Sequence, residues 1–187
     1  MQLFEFLMVL ISVVIGLGLT EILSGVANLL RARQTVRVHW IHALFVFGIF
    51  FALLQQWWES WDMVGLESIG FPVVLALLAP SVILFLIAHL IFPARTHDVD
   101  LEAYYYQQAP LLWGLVILGT LEGTFVLPLM VGDRILEPAN ISGIPLVILS
   151  AALVVSKSPR VHSVVAPLIL VMVVLDTILA NPAISTL

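Results

Sequence analysis

Cysteine is absent from the 187 residues, which excludes disulfides, thiolate metal sites and thiol nucleophiles. Lysine is nearly absent. Lys157 stands alone between Ser156 and Ser158, so no intramembrane lysine exists to form a retinal Schiff base. Charge is scarce too, at 10% of residues, where a soluble domain carries about 25%. Also missing are a His-Glu-x-x-His zinc motif, a Gly-x-Ser-x-Gly elbow, a Gly-rich phosphate loop and an Asp-rich diphosphate box. These absences point away from an enzyme, and a net charge of −5 argues against a nucleic-acid partner.

What the chain has instead is apolar length. It is 61% hydrophobic, with a mean hydropathy of +1.14, more apolar surface than a soluble fold of this size can bury. A bilayer core about 30 Å thick needs about 20 apolar residues per helix. Six segments meet or approach that length, at about 4–30, 40–58, 71–91, 111–131, 141–156 and 161–179. The expected fold is all-α, a polytopic bundle of six transmembrane helices forming one transmembrane domain over 1–187. Met-Gln-Leu-Phe-Glu offers no basic n-region before the first run, so that run reads as an uncleaved span. The fifth segment is short and begins near Ile141-Ser-Gly-Ile-Pro, which suggests a tilted or broken span.

Orientation follows from basic residues in short connections. Arg31, Arg33 and Arg37 fall in the first, Arg95 in the third, and Lys157 and Arg160 in the fifth. Only Arg134 falls in an even-numbered connection. The odd connections are therefore expected in the cytoplasm, with both termini outside. The outer side is acidic, with Glu59, Asp62, Glu67, Asp133 and Glu137. Trp57, Trp58 and Trp61 suit an outer aromatic belt, and Trp40 an inner one.

The stretch Gly16-Leu-Gly-Leu-Thr-Glu-Ile-Leu-Ser-Gly25 puts small residues and Glu21 on roughly one half of a helix. Small residues permit close helix packing, and carboxylates at membrane depth face protein or water. We expect this helix at the bundle centre with Glu21 inward, packed through Gly16, Gly18 and Gly25. Gly119 and Gly123 form a similar small pair on the fourth span. Glu122 also reads as mid-membrane, and Glu21 and Glu122 together form the expected ionisable centre for transport of a proton, a cation or a small solute. Each could instead hydrogen-bond across helices and fix packing. Gly18-Leu-Thr-Glu21 has a partial echo in Gly119-Thr-Leu-Glu122, which raises the inverted-repeat arrangement of many transporters.

His42 and His89 sit near the cytoplasmic ends of adjacent antiparallel spans. They are candidates for a proton relay or for ligating haem or a metal, with interfacial packing as the bland alternative. His39, His97 and His162 read as solvated. Gln55, Gln56 and Asp176 could line an outer vestibule, with plain solvation the better reading for Asp176 so near the interface. In the long third connection Asp98 or Asp100 could cap a helix with Glu102 in its first turn. Tyr104, Tyr105 and Tyr106 would then lie along the cytoplasmic interface, with Pro110 either kinking that helix or ending it. Pro80 and Pro128 are candidate kinks.

Taken with Gln-Trp-Trp-Glu-Ser-Trp and Val-Asp-Leu-Glu-Ala-Tyr-Tyr, the glycine-rich first helix resembles that of a group of small bacterial six-helix integral membrane proteins. The resemblance covers roughly the first two-thirds of the chain. It implies a multi-pass protein of a bacterial inner membrane and supplies no activity. The leading expectation is a small transporter or channel, embedded in the lipid bilayer and homo-oligomeric or joined to other membrane subunits. The alternatives are a non-catalytic accessory or scaffold subunit of a membrane complex, and a haem- or quinone-binding redox protein.

Overall fold

The computed structural model describes residues 3–60, 70–95, 98–131 and 142–180. Within them every regular element is helical: α1 (Leu3–Arg31), α2 (Trp40–Glu59), α3 (Phe71–Leu90), α4 (Leu101–Leu121), a π-helical turn (Glu122–Val126), α5 (Leu127–Val131), α6 (Gly143–Val155) and α7 (Pro159–Ala180). Five stretches are long and apolar enough to cross a membrane: Glu5–Arg31, Trp40–Glu59, Phe71–Leu90, Leu101–Met130 and Pro159–Ile178. The 13 residues of α6 rise only about 20 Å, less than the roughly 30 Å hydrocarbon core. The chain is a multi-pass membrane protein, all-α among the described residues, which hold five span-length helices and one shorter apolar helix. Trp61, Asp62, Glu67, His97, Asp133, Arg134 and Glu137 lie outside the described residues.

Local chemistry explains why α4 begins well before the expected 111. Asp100 caps it, with Oδ1 accepting from the Glu102 and Ala103 amides at 2.9 and 3.3 Å. Glu102 lies in the first turn, where a negative charge suits the helix dipole. The Tyr104 hydroxyl donates to the Leu90 and Phe92 carbonyls at 2.8 and 2.9 Å, tying the first turn to the end of α3. Pro110 neither ends the helix nor splits off an interfacial segment, because packing on both sides of it holds the helical path. Downstream the ladder does change. The Leu127 amide donates to Glu122 O across a π turn, and Pro128, which has no amide to donate, follows at once.

The connections carrying most of the basic residues meet at one end. The Arg37 amide donates to Val99 O at 2.9 Å and the Leu101 amide to Arg37 O at 3.1 Å, so the α1–α2 and α3–α4 connections are stitched together. His162, at the start of α7, reaches Ser156 O at 2.9 Å and the Tyr105 hydroxyl of α4, also at 2.9 Å, which brings the α6–α7 connection to the same end. Arg31, Arg33, Arg37, Arg95, Lys157 and Arg160 thus belong to one "basic end". Trp40 is exposed there, while Trp57 and Trp58 are exposed at the far end.

Helix α1 is not at the centre of the bundle, which belongs to α2, packed on α1, α3, α4 and α7, and to α3. Helix α3 packs on α1, α2 and α4, while α1 packs on α2 and α3 at the edge. The buried face of α1 is Leu7, Ile11, Ile15, Gly18 and Ile22, a stripe at helical spacing that fills the groove between its neighbours. That splits the expected face: Gly18 and Gly25 pack, whereas Gly16, Thr20 and Ser24 are exposed. The inverted-repeat pattern also fails to appear in the packing. Helix α1 lies chiefly on α3, whereas its would-be equivalent α4 lies chiefly on α6 rather than α7.

Candidate functional site

The glycines expected to pack divide in two. A methyl at Gly18 would stand 2.9 Å from Leu53 Cδ2, and one at Gly25 would collide with the Phe92 ring. Those two positions need glycine for close approach. At Gly119 the nearest atom would be Ile83 Cγ2, at an ordinary 3.4 Å, and at Gly16 and Gly123 nothing lies within 4 Å among the described residues.

The structure does not bring Glu21 and Glu122 together. A Glu21 carboxylate oxygen lies 3.2 Å from His89 Nδ1, and both side chains are substantially exposed, at 39% and 61%. Glu21 thus stands level with the last turn of α3, toward the basic end. Helix α1 is 29 residues long, about 43 Å, and its C-terminal turns overhang α3. Ala32 and Val36, just beyond α1, pack on Leu101 at that end. Glu122 lies elsewhere. Gly119 meets Ile83, which is already about 9 Å along the α3 axis from His89, and Glu122 is a further turn toward the far end. It is 8% exposed, and neither carboxylate oxygen has a hydrogen-bond partner among the described residues. A buried polar group left unpaired costs about 1–3 kcal/mol, and more if charged.

The histidines are also distributed differently from expectation. His42 is 2% exposed and its Nε2 donates to Ile91 O at 2.9 Å, with the Phe92 and Tyr104 rings edge-on to it. His89 faces Glu21, so His42 and His89 do not converge on one ligand. Among the described residues no group of three or more His, Asp or Glu stands close enough to hold a metal. His162, expected in water, is fully buried. Its Nε2–H donates to Ser156 O, and in that tautomer its Nδ1 accepts from the Tyr105 hydroxyl. The Tyr105 oxygen in turn accepts from Trp113 Nε1–H at 3.1 Å. Tyr105 is therefore core and not interface, at 0% exposure. The chain Trp113–Tyr105–His162–Ser156 ends on an indole, which only donates, so it is a lock on the fold and not a proton wire. His39 is also enclosed, against Tyr105 and Tyr106, with Glu102 at 3.9 Å.

On the far side of Trp113 lies a cavity of about 390 Å³ between α2, α3, α4, α6 and α7, within the size range of small-molecule pockets. Its floor is Phe45, Ile87, Trp113 and Ile169, and its upper wall includes Gln55, Gln56, Glu59, Thr120, Ser142 and Asp176. The π turn contributes Gly123 and Thr124, and Pro80 of α3 lies opposite. Gln55 donates to Glu59 at 2.8 Å, and Ser142 donates to Asp176 at 3.3 Å. Glu21, Glu122, His42 and His89 are not in this lining. Gln55 and Gln56, polar near an apolar helix end, could be suspected of lining such a space, whereas Asp176 read more simply as solvated; all three line it. Trp113 carried no such signal, since an indole in a span reads as belt or core. No protein-family model, curated protein or solved structure matches the chain.

Proposed function

We propose that the protein binds, and carries across the membrane, a small solute housed in the cavity between α2, α3, α4, α6 and α7. One observation supports this reading: a ligand-sized space walled by five helices, apolar at its floor and polar toward the far end. In this proposal α6 completes a sixth crossing, the basic end faces the cytoplasm by the positive-inside rule, and both termini face outward. A bacterial inner membrane is the proposed location. Glu122 keeps a part as the buried ionisable group of the turn that supplies Gly123 and Thr124 to the wall, while Glu21 has none.

The test is solute binding and proteoliposome flux with a panel of small solutes, comparing wild type, Ala52→Phe and Glu21→Gln. Ala52 lines the cavity, so a phenyl ring there fills it. Binding and flux lost in Ala52→Phe and kept in Glu21→Gln support the proposal. Equal activity in wild type and Ala52→Phe overturns it. A second reading, a scaffold that docks on a further copy or on other membrane subunits, draws support from the exposed small face Gly16, Thr20 and Ser24. Stable co-purification of one partner with no flux from the isolated chain would favour it.

A further inference from the structure

We propose that the solute is an organic cation: an ammonium head held at Asp176, and an apolar, aryl-sized body resting on Trp113. This rests on the cavity being the solute site and adds the chemical class. The floor comes first. The only polar atom of Trp113, Nε1, is already committed to Tyr105, and Phe45, Ile87 and Ile169 beside it offer carbon alone. A polar group at that depth would lose its water and gain nothing, so the inner end of the ligand is apolar.

Toward the far end the polar atoms are biased in one direction. The Thr120 hydroxyl donates to Val116 O at 2.9 Å, the Ser142 hydroxyl to Asp176, and a Gln55 amide hydrogen to Glu59. Those donors are spent on protein acceptors. What faces the space is then chiefly acceptor capacity, hydroxyl lone pairs and the Asp176 carboxylate, beside the remaining amide N–H groups of Gln55 and Gln56, which are neutral. The lining contains no Lys, Arg or His among the described residues. An anionic head would meet like charge there, and a neutral hydroxyl would gain one ordinary hydrogen bond. A protonated amine gains charge-assisted bonds and the Coulomb attraction.

The experiment uses the full chain in lipid nanodiscs and calorimetry with three matched probes: 4-phenylbutylamine, which is cationic at neutral pH, neutral 4-phenylbutan-1-ol and anionic 4-phenylbutyrate. The amine is expected to bind, the alcohol about tenfold more weakly, and the butyrate not at all. Asp176→Asn should bring the amine down to the alcohol's affinity while leaving the alcohol unchanged, and Ala52→Phe should remove both. If Asp176→Asn does not fold, the ranking of the three probes on wild type decides alone. Alcohol or butyrate binding as tightly as the amine, and lost in Ala52→Phe, overturns the cation class while the solute cavity stands. Amine binding that survives Ala52→Phe, or no binding by any probe, overturns both.

Discussion

The two halves of this bundle close in different ways, although each leaves buried polar atoms unpaired among the described residues: His39 Nε2 and the Tyr106 hydroxyl at the basic end, the Glu122 carboxyl beyond Trp113. At the basic end, Trp113, Tyr105, His162 and Ser156 form one continuous donor–acceptor chain, His42 is satisfied by a backbone carbonyl, and Phe92 closes against Gly25. In the half beyond Trp113, a cavity interrupts the packing, the α4 ladder widens into a π turn, and Glu122 is buried without a hydrogen-bond partner among the described residues. The first half holds the helices in register. The second leaves empty space beside a loosened helix, as a ligand site built into a rigid frame requires.

Mutations at the boundary and on each side should break or sharpen that contrast. Trp113→Ala acts on both halves, removing core and enlarging the cavity, and should cost about 4 kcal/mol in the stability of purified protein. Tyr105→Phe leaves Trp113 Nε1–H and His162 Nδ1 without their partner and should cost about 2–3 kcal/mol. A loss under 0.5 kcal/mol in reversible unfolding would mean the lock carries no stability, and so remove the contrast. In the open half the sign should reverse. Glu122→Met removes an unpaired carboxyl at similar volume and should raise stability by about 1–2 kcal/mol, read as a higher melting temperature in detergent. The smallest effect belongs to the α1 face: Gly16→Ala should stabilise by about 0.5–1 kcal/mol, since its methyl meets open space. Gly18→Ala, against Leu53, should do the reverse.

Sequence patterning reached the helices but not their faces. Apolar length located every described helix, and Asp100 with Glu102 announced the start of α4 through capping chemistry. The face of α1 was legible only in part, at Gly18 and Gly25, because the helix is apolar nearly all round and its small, polar stripe competed with an equally good isoleucine stripe. Only the groove between α2 and α3 decides between them. His162 read as solvated because it follows Pro159-Arg160 in a charged connection. Its burial depends on Tyr105, far away in sequence. Glu21 and Glu122 looked equivalent by their distances from helix ends, yet one overhanging helix and one π turn give them unrelated surroundings. The cavity had no local signature, because five separate helices each supply part of its wall.

The shortness of α6 has a consequence for the lipid itself. Gly143 abuts Thr124, so α6 begins about 10 Å short of the end of α5. In the proposed six-crossing arrangement a helix this short favours local thinning of the leaflet at the far end, which would draw headgroups and their water down toward Ser142 and Asp176. A lipophilic amine already partitioned among those headgroups would reach the carboxylate by sliding sideways through a dip in the bilayer, without first returning to bulk water.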